Sequence, residues 1–172
     1  MTALHELVAS RKSIRGYDAS RPVLPEILAR VLDAGRLAPS AKNLQPWKFL
    51  LVSSPGMLAK VRPCYERDWF HEAPHILVVT GDRNEAWVCP SDGWNSLETD
   101  LANAMDHLIL AAHAEGLATC WISAFDPAML RDALGLGPTE EVFAITPLGY
   151  ASADAQTRPK TRKPLDEVAR YL

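Results

Sequence analysis

The chain has 172 residues, 48% hydrophobic and 23% charged, with a formal net charge of -3 at pH 7; that balance excludes a disordered chain and suits one compact domain over residues 1–172. The slight acidity offers no bulk electrostatic footprint for nucleic acid, and no run of about 18 apolar residues could cross a bilayer. Met1–Ser10 lacks a basic stretch leading into a long apolar one, so a cytoplasmic location is expected; Cys64, Cys89 and Cys120, odd in number and widely spaced, argue against a disulfide framework or a CxxC pair.

The first predicted element is a short amphipathic helix with Leu4, Leu7 and Val8 on one face. It runs into Arg11–Tyr17, RKSIRGY, where Arg11, Lys12 and Arg15 surround Ser13. Such a charge run is either a solvated face or part of a site. Pro25 opens a second helix reaching Leu37, with Ile27, Leu28, Val31, Leu32 and Leu37 spaced as a buried stripe, and Pro39 ends it. Trp47–Val52, an apolar run between Pro46 and Pro55, is predicted as a buried strand. The segment Ala38–Trp47, APSAKNLQPW, joins the two. Ser40, Lys42, Asn43 and Gln45 set hydroxyl, ammonium and amide groups beside prolines that restrict the backbone. On spacing alone it reads equally as a plain connection or as a ligand loop.

From Pro63 to Ser96 the chain is rich in aromatics, Tyr65, Trp69, Phe70, Trp87 and Trp94, which either line a pocket or cover the core or an interface. His71–His75, HEAPH, matches the HExxH zinc pattern, but Pro74 opposes the helix that would align both imidazoles, and Ile76–Thr80 reads as a buried strand. No metal site is expected. The longest predicted helix, Leu97–Glu115, is apolar over much of its circumference and stops at Gly116. It suits wide burial, with His107 and His113 as surface or interface residues. Cys120, inside ATCWI, is expected to be core packing. Near the far end, Arg158, Lys160, Arg162 and Lys163 form a second cationic cluster, and two such clusters in an acidic chain point to a bound anion. No GxGxxG follows a strand, so a Rossmann domain is not indicated.

Taken together and in this order, RKSIRGY, APSAKNLQPW, GLATCWISAFD at Gly116–Asp126, PLGY at Pro147–Tyr150 and KTRKPLDE at Lys160–Glu167 resemble the FMN-dependent nitroreductase family over nearly the whole chain. The resemblance implies an α+β fold with a mixed, largely antiparallel central sheet flanked by helices, and a homodimer with two FMN sites at the subunit interface. It implies that Arg11, Lys12, Ser13 and Arg15 approach the FMN phosphate, ribityl chain and pyrimidine edge, with Lys160 and Arg162 closing on the phosphate. Pro39, Ser40, Ala41, Asn43 and Gln45 would reach the flavin from the second subunit. Trp121, Ile122, Ser123 and Ala124 would line it from the strand TCWIS, the backbone N–H of Ser123 or Ala124 bonding flavin N5.

Physically, guanidinium groups match phosphate oxygens with forked hydrogen bonds, which suits Arg11 and Arg162, and a fixed cation near flavin N1 and O2 favours reduction, which suits Arg15. The implied function is an oxidoreductase moving hydride from NAD(P)H, a transient co-substrate, to a nitroaromatic, quinone or related small acceptor by ping-pong exchange. No catalytic side chain is required. Two alternatives remain: another FMN reaction on the scaffold (dehalogenation, enone reduction or flavin cleavage), or an FMN carrier or redox-responsive protein with little NAD(P)H turnover. Larger family members often carry a polar residue before the strand beginning near Ile76 that helps hold the pyrimidine edge; ERDWF at Glu66–Phe70 stands nearby, and a glutamate there would be a poor substitute beside anionic flavin.

Overall fold

The computed structural model describes residues 2–172. A four-stranded sheet runs in the order β2 (Trp47–Val52), β3 (His75–Asp82), β5 (Glu140–Gly149), β4 (Ala118–Thr119), while β1 (Ile14–Tyr17) and β6 (Ala151–Thr157) form a separate ribbon. Where a mixed, largely antiparallel sheet was expected, each ladder among the described residues is antiparallel.

Side-chain alternation builds two cores from the two central strands. Leu77 and Val79 of β3, with Ala144 and Leu148 of β5, face α2 (Pro25–Arg36) and α5 (Leu97–Ala114). Ile76, Val78 and Ile145 face the opposite way, toward α3 (Pro55–Val61), α4 (Asp68–His71) and α6 (Pro127–Leu134). Because both faces of β3 are covered, its sequence is a continuous apolar run. β2 departs from the buried strand predicted: it pairs with β3 alone, and of its six residues only Val52 is fully buried. Its composition describes a strand but not its place at the sheet edge.

Pro25 stands in the first turn of α2 and Leu37 caps its end. α2 crosses α5 closely at Gly35, where an added Cβ would lie 2.6 Å from the Leu108 side chain. α5 buries Leu97, Leu101, Ala104, Met105, Leu108, Ile109 and Ala112, and Gly116 follows it at φ +75°. The HEAPH segment divides as its proline dictates: α4 ends at His71 and β3 begins at His75, so the imidazoles sit on different elements. Among the described residues no group of three His, Cys, Asp or Glu could hold a metal ion, and no helix is long and apolar enough to cross a membrane.

The two ends of the chain are the least covered. α1 (Ala3–Ser10) forms where predicted but buries no residue, leaving Leu4 66% and Val8 48% exposed. Residues 156–172, with the short α7 (Leu165–Val168), are exposed throughout.

Candidate functional site

α1 ends with unpaired carbonyls, as every helix does. Lys160 satisfies them: its ammonium donates to the carbonyls of Val8, Ala9 and Arg11 at 2.5, 3.0 and 3.1 Å. A cation is also the favoured charge at that helix end. The contact fastens the C-terminal arm to the N-terminal segment and shapes a cleft of about 240 Å³, with Arg11, Lys12, Ser13 and Arg15 on one wall and Arg158, Lys160 and Arg162 on the other. Six cations face this space, no carboxylate lines it, and none of the six is in a salt bridge among the described residues. The ammonium of Lys160 is held below its ordinary pKa by burial, then by Arg162 and Arg11. The imidazole of His113, 2.8 Å from Ser10 Oγ, is lowered by burial and by Arg11, Lys160 and Lys12.

Cys120 borders the cleft. It is buried as expected, and its thiol is pushed up by burial against the opposing pull of Arg15, the Ser13 hydroxyl and Arg11. Beyond it the strand predicted through TCWIS does not continue: β4 stops at Thr119, and Ile122 makes only an isolated bridge to Ile145. That bridge occupies the Ile122 N–H, 2.9 Å from the Ile145 carbonyl, so this N–H is not available to a ligand. Trp121, Ser123 and Ala124 are exposed, and among the described residues no acceptor takes the N–H of Ser123 or Ala124. The Trp121 indole donates to Ser123 Oγ at 3.1 Å and packs edge-on against Phe143.

On the other side, the Arg15 guanidinium lies over the Trp69 ring, 5.9 Å from its centroid, and Glu72 accepts from the Tyr17 N–H at 3.2 Å. Trp69 and Glu72, rather than Glu66, are the neighbours of the β1 strand. The aromatics of residues 63–96 separate into two groups. Tyr65, Trp69 and Phe70 interlock edge-to-face against the core, with Phe70 fully buried. Trp87 and Trp94 pair edge-on across a hairpin closed by the Val88–Asn95 bridge, and Trp94 is exposed.

The loop after α2 has its own geometry. An extended Ser40 leads into a 3-10 turn at Ala41–Asn43, Leu44 follows in the right-handed helical region, and Lys42, Asn43 and Gln45 all have left-handed backbones at φ 49°, 57° and 53°. Three such residues without a glycine are uncommon and cost energy that surrounding bonds must offset. The Gln45 N–H donates to Ser40 Oγ at 3.0 Å, Gln45 Nε2 to the Asn43 carbonyl at 3.1 Å, and the Ala41 N–H to Asp100 Oδ1 at 2.8 Å. Lys42, Asn43 and Gln45 point outward, exposed.

Within one chain the two sets of predicted residues do not meet. Pro39–Gln45 is anchored on the first turns of α5 at Asp100, whereas the cationic cleft adjoins its last turn at His113. At the helical rise these anchors stand about 20 Å apart. Asp100, Ser96 and Glu72 are site neighbours that the sequence reading missed, whereas Trp69 was among the aromatics it weighed between pocket and core. Asp100 alone had a signal, a charged residue beside the apolar stripe of α5.

Against known proteins, a sequence model of the nitroreductase family matches residues 8–63 and 55–150. A provisionally named NADH dehydrogenase/NAD(P)H nitroreductase of Archaeoglobus fulgidus is 31% identical over 150 residues, covering 84% of this chain and 83% of that protein. Rat iodotyrosine deiodinase 1 is 26% identical over 95% of this chain and 67% of its own length. Among solved structures, a nitroreductase family protein of Clostridium difficile superposes with a TM-score of 0.87 at 30% identity, covering 99% of this chain and 98% of that one. A provisionally named nitroreductase of Desulfovibrio desulfuricans, solved in complex with FMN, superposes at 0.83 with 26% identity over 100% and 98% of the two chains. With the family pattern running through most of its length and the fold shared from end to end, this chain belongs to the nitroreductase family.

Proposed function

We propose that the protein is an FMN-dependent oxidoreductase that uses NAD(P)H to reduce an electron-poor small molecule, a nitroaromatic, a quinone or a related metabolite, and that it works as a homodimer with shared sites. The observation that carries this reading is the cleft at Arg11–Arg15 and Arg158–Arg162, which gathers six cations and no counter-charge. A phosphate monoester, close to doubly charged, is the anion such a cleft fits. Arg11 and Arg162 would fork its oxygens; Lys12 and Ser13 would bond the adjoining polyol. Lys160 would contribute charge while its hydrogens stay on the α1 carbonyls. The Desulfovibrio relative's bound FMN and the Archaeoglobus relative's name support the cofactor and the reductant.

When bound, FMN supplies the hydride chemistry by ping-pong exchange, and the protein needs no nucleophile or acid–base pair of its own. The chain supplies position and charge. Arg15, which lies over the Trp69 ring, would be the fixed cation for the pyrimidine edge, and the N–H of Ser123 or Ala124, with no acceptor among the described residues, would be the donor for N5. Pro39, Ser40, Ala41, Asn43 and Gln45 would complete the site of the other subunit. Supporting this, the two half-sites lie at opposite ends of α5, so a second chain with its α5 antiparallel would bring each loop to the other's cleft. The apolar side chains of Leu4, Val8, Leu37 and Leu44, exposed in the single chain, suit cover by that copy.

The similarity to a deiodinase favours one second reading, reductive dehalogenation on the same scaffold. One experiment orders these readings. The purified protein should be yellow, and anaerobic NADH or NADPH should bleach it rapidly; reoxidation by nitroaromatics or quinones, against release of halide from a halotyrosine, then separates the two reactions. A colourless monomer indifferent to added FMN overturns both, and a yellow protein that neither nicotinamide bleaches is a carrier.

A further inference from the structure

Asp100 is 2% exposed, yet no cation pairs with it among the described residues. Its carboxylate lies beside the apolar contacts of Leu97, Leu101 and Ala104, where an unpaired charge is costly unless hydrogen bonds satisfy it. Two do: Ser96 Oγ, itself in a residue 1% exposed, donates to Oδ2 at 2.7 Å, and the Ala41 N–H donates to Oδ1 at 2.8 Å. An apolar residue would fill the same space without desolvating a charge; what the carboxylate adds is the bond it makes to Ala41. It holds the first N–H of the turn whose next residues adopt three left-handed conformations. The bonds among Ser40, Asn43 and Gln45 only close the loop upon itself, and the other tie to α5, Asn103 Nδ2 to the Pro39 carbonyl, is long at 3.4 Å. Asp100 is therefore the firm anchor of that shape.

We propose that Asp100 is a positioning residue acting across the dimer: by pinning Ala41 it keeps Asn43 and Gln45 presented to the flavin held mainly by the other subunit's cationic cleft. The proposal rests on the shared-site reading above. Asp100 itself touches neither cofactor nor substrate.

The test is FMN titration of the apoprotein, by quenching of flavin fluorescence, with a thermal melt as control. Asp100→Ala should raise the FMN Kd about tenfold or more, the loss of one hydrogen bond to a charged group, in a chain that still melts cooperatively and keeps its dimer mass. Asp100→Asn should bind within about threefold of wild type, because its Oδ1 still accepts from Ala41 and its amide donates to Ser96. Asp100→Ser, too short to span both partners, repeats the loss where the alanine chain does not fold.

A mixed dimer then separates action across the interface from action within the chain. Pairing an Asp100→Ala chain with an Arg11→Ala/Arg162→Ala chain leaves one site with both its cleft and its loop intact. About half the wild-type FMN should be recovered, where action within the chain leaves no intact site. Wild-type affinity in Asp100→Ala, or a mixed dimer that recovers nothing, overturns the proposal. Wild-type affinity in the double arginine variant overturns the shared-site reading instead.

Discussion

At the scale of single residues, charge without a partner is the property that matters. Arg11 lines the cleft with five other cations and makes no salt bridge among the described residues. Arg11→Ala should weaken FMN binding by about 2 kcal/mol, the worth of a charge-assisted contact, or roughly 30-fold in Kd; titration at low salt reads it, and unchanged affinity would remove Arg11 from the phosphate site. Arg15 differs in kind, since its guanidinium is steadied by the Trp69 ring and borders Cys120. A cation beside the pyrimidine edge stabilises the reduced form more than the oxidised one. Arg15→Gln should therefore lower the flavin midpoint potential more than it lowers affinity, and a potential that stayed in place in a dye-equilibration titration would contradict the assignment.

At the scale of elements, the ribbon of β1 and β6 sets where Arg15 stands. Its ladder shifts register between Arg15 and Tyr17, and Gly16 occupies the shift at φ +141°, with space for a Cβ blocked 2.8 Å from Ala155 Cα. Gly16→Ala combines a forbidden backbone with a clash against main chain, so it should cost about 1–3 kcal/mol in urea denaturation and loosen FMN retention as the ribbon shifts. A variant as stable and as yellow as wild type would show the ribbon to be pliable.

The glycine stands in RKSIRGY, but nothing local in that string says which strand it will cross. The same boundary runs through the rest of the fold. α2, α5 and β3 are legible because proline starts, glycine stops and apolar periodicity are local signals. The exposed edge of β2, the break after Thr119 and the bond from Ala41 to Asp100 are not, because each depends on residues distant in sequence, 26 positions from Cys120 to Thr146 and 59 from Ala41 to Asp100. In the candidate site, the cationic runs at both chain ends could be read as an anion site from charge alone. Their joining by Lys160 could not, for it depends on helix-end carbonyls about 150 residues distant.

At the scale of the whole molecule, a chain that leaves α1 and residues 156–172 uncovered, and whose proposed site would be split between the ends of α5, should elute at twice its 18.9 kDa mass. The cleft also couples the molecule to pH. The imidazoles of His75 and His113 are both held below their ordinary 6.5, His75 by burial, and His113 by burial together with Arg11, Lys160 and Lys12. Because the folded form has the lower pKa, the unfolded chain binds more protons between that pKa and 6.5, and stability rises with pH across the window. The contribution is complete above 6.5 and is lost as pH falls through the lowered values. The urea midpoint of the apoprotein should accordingly fall between about pH 7 and pH 5, before most carboxylates protonate. His75→Asn together with His113→Asn should flatten that slope, and an unaltered slope would assign it to other groups. Filling the cleft with a phosphate dianion offsets the three cations at His113 but not its burial, so the FMN-bound protein should show a shallower slope than the apoprotein, and the difference should vanish in His113→Asn alone.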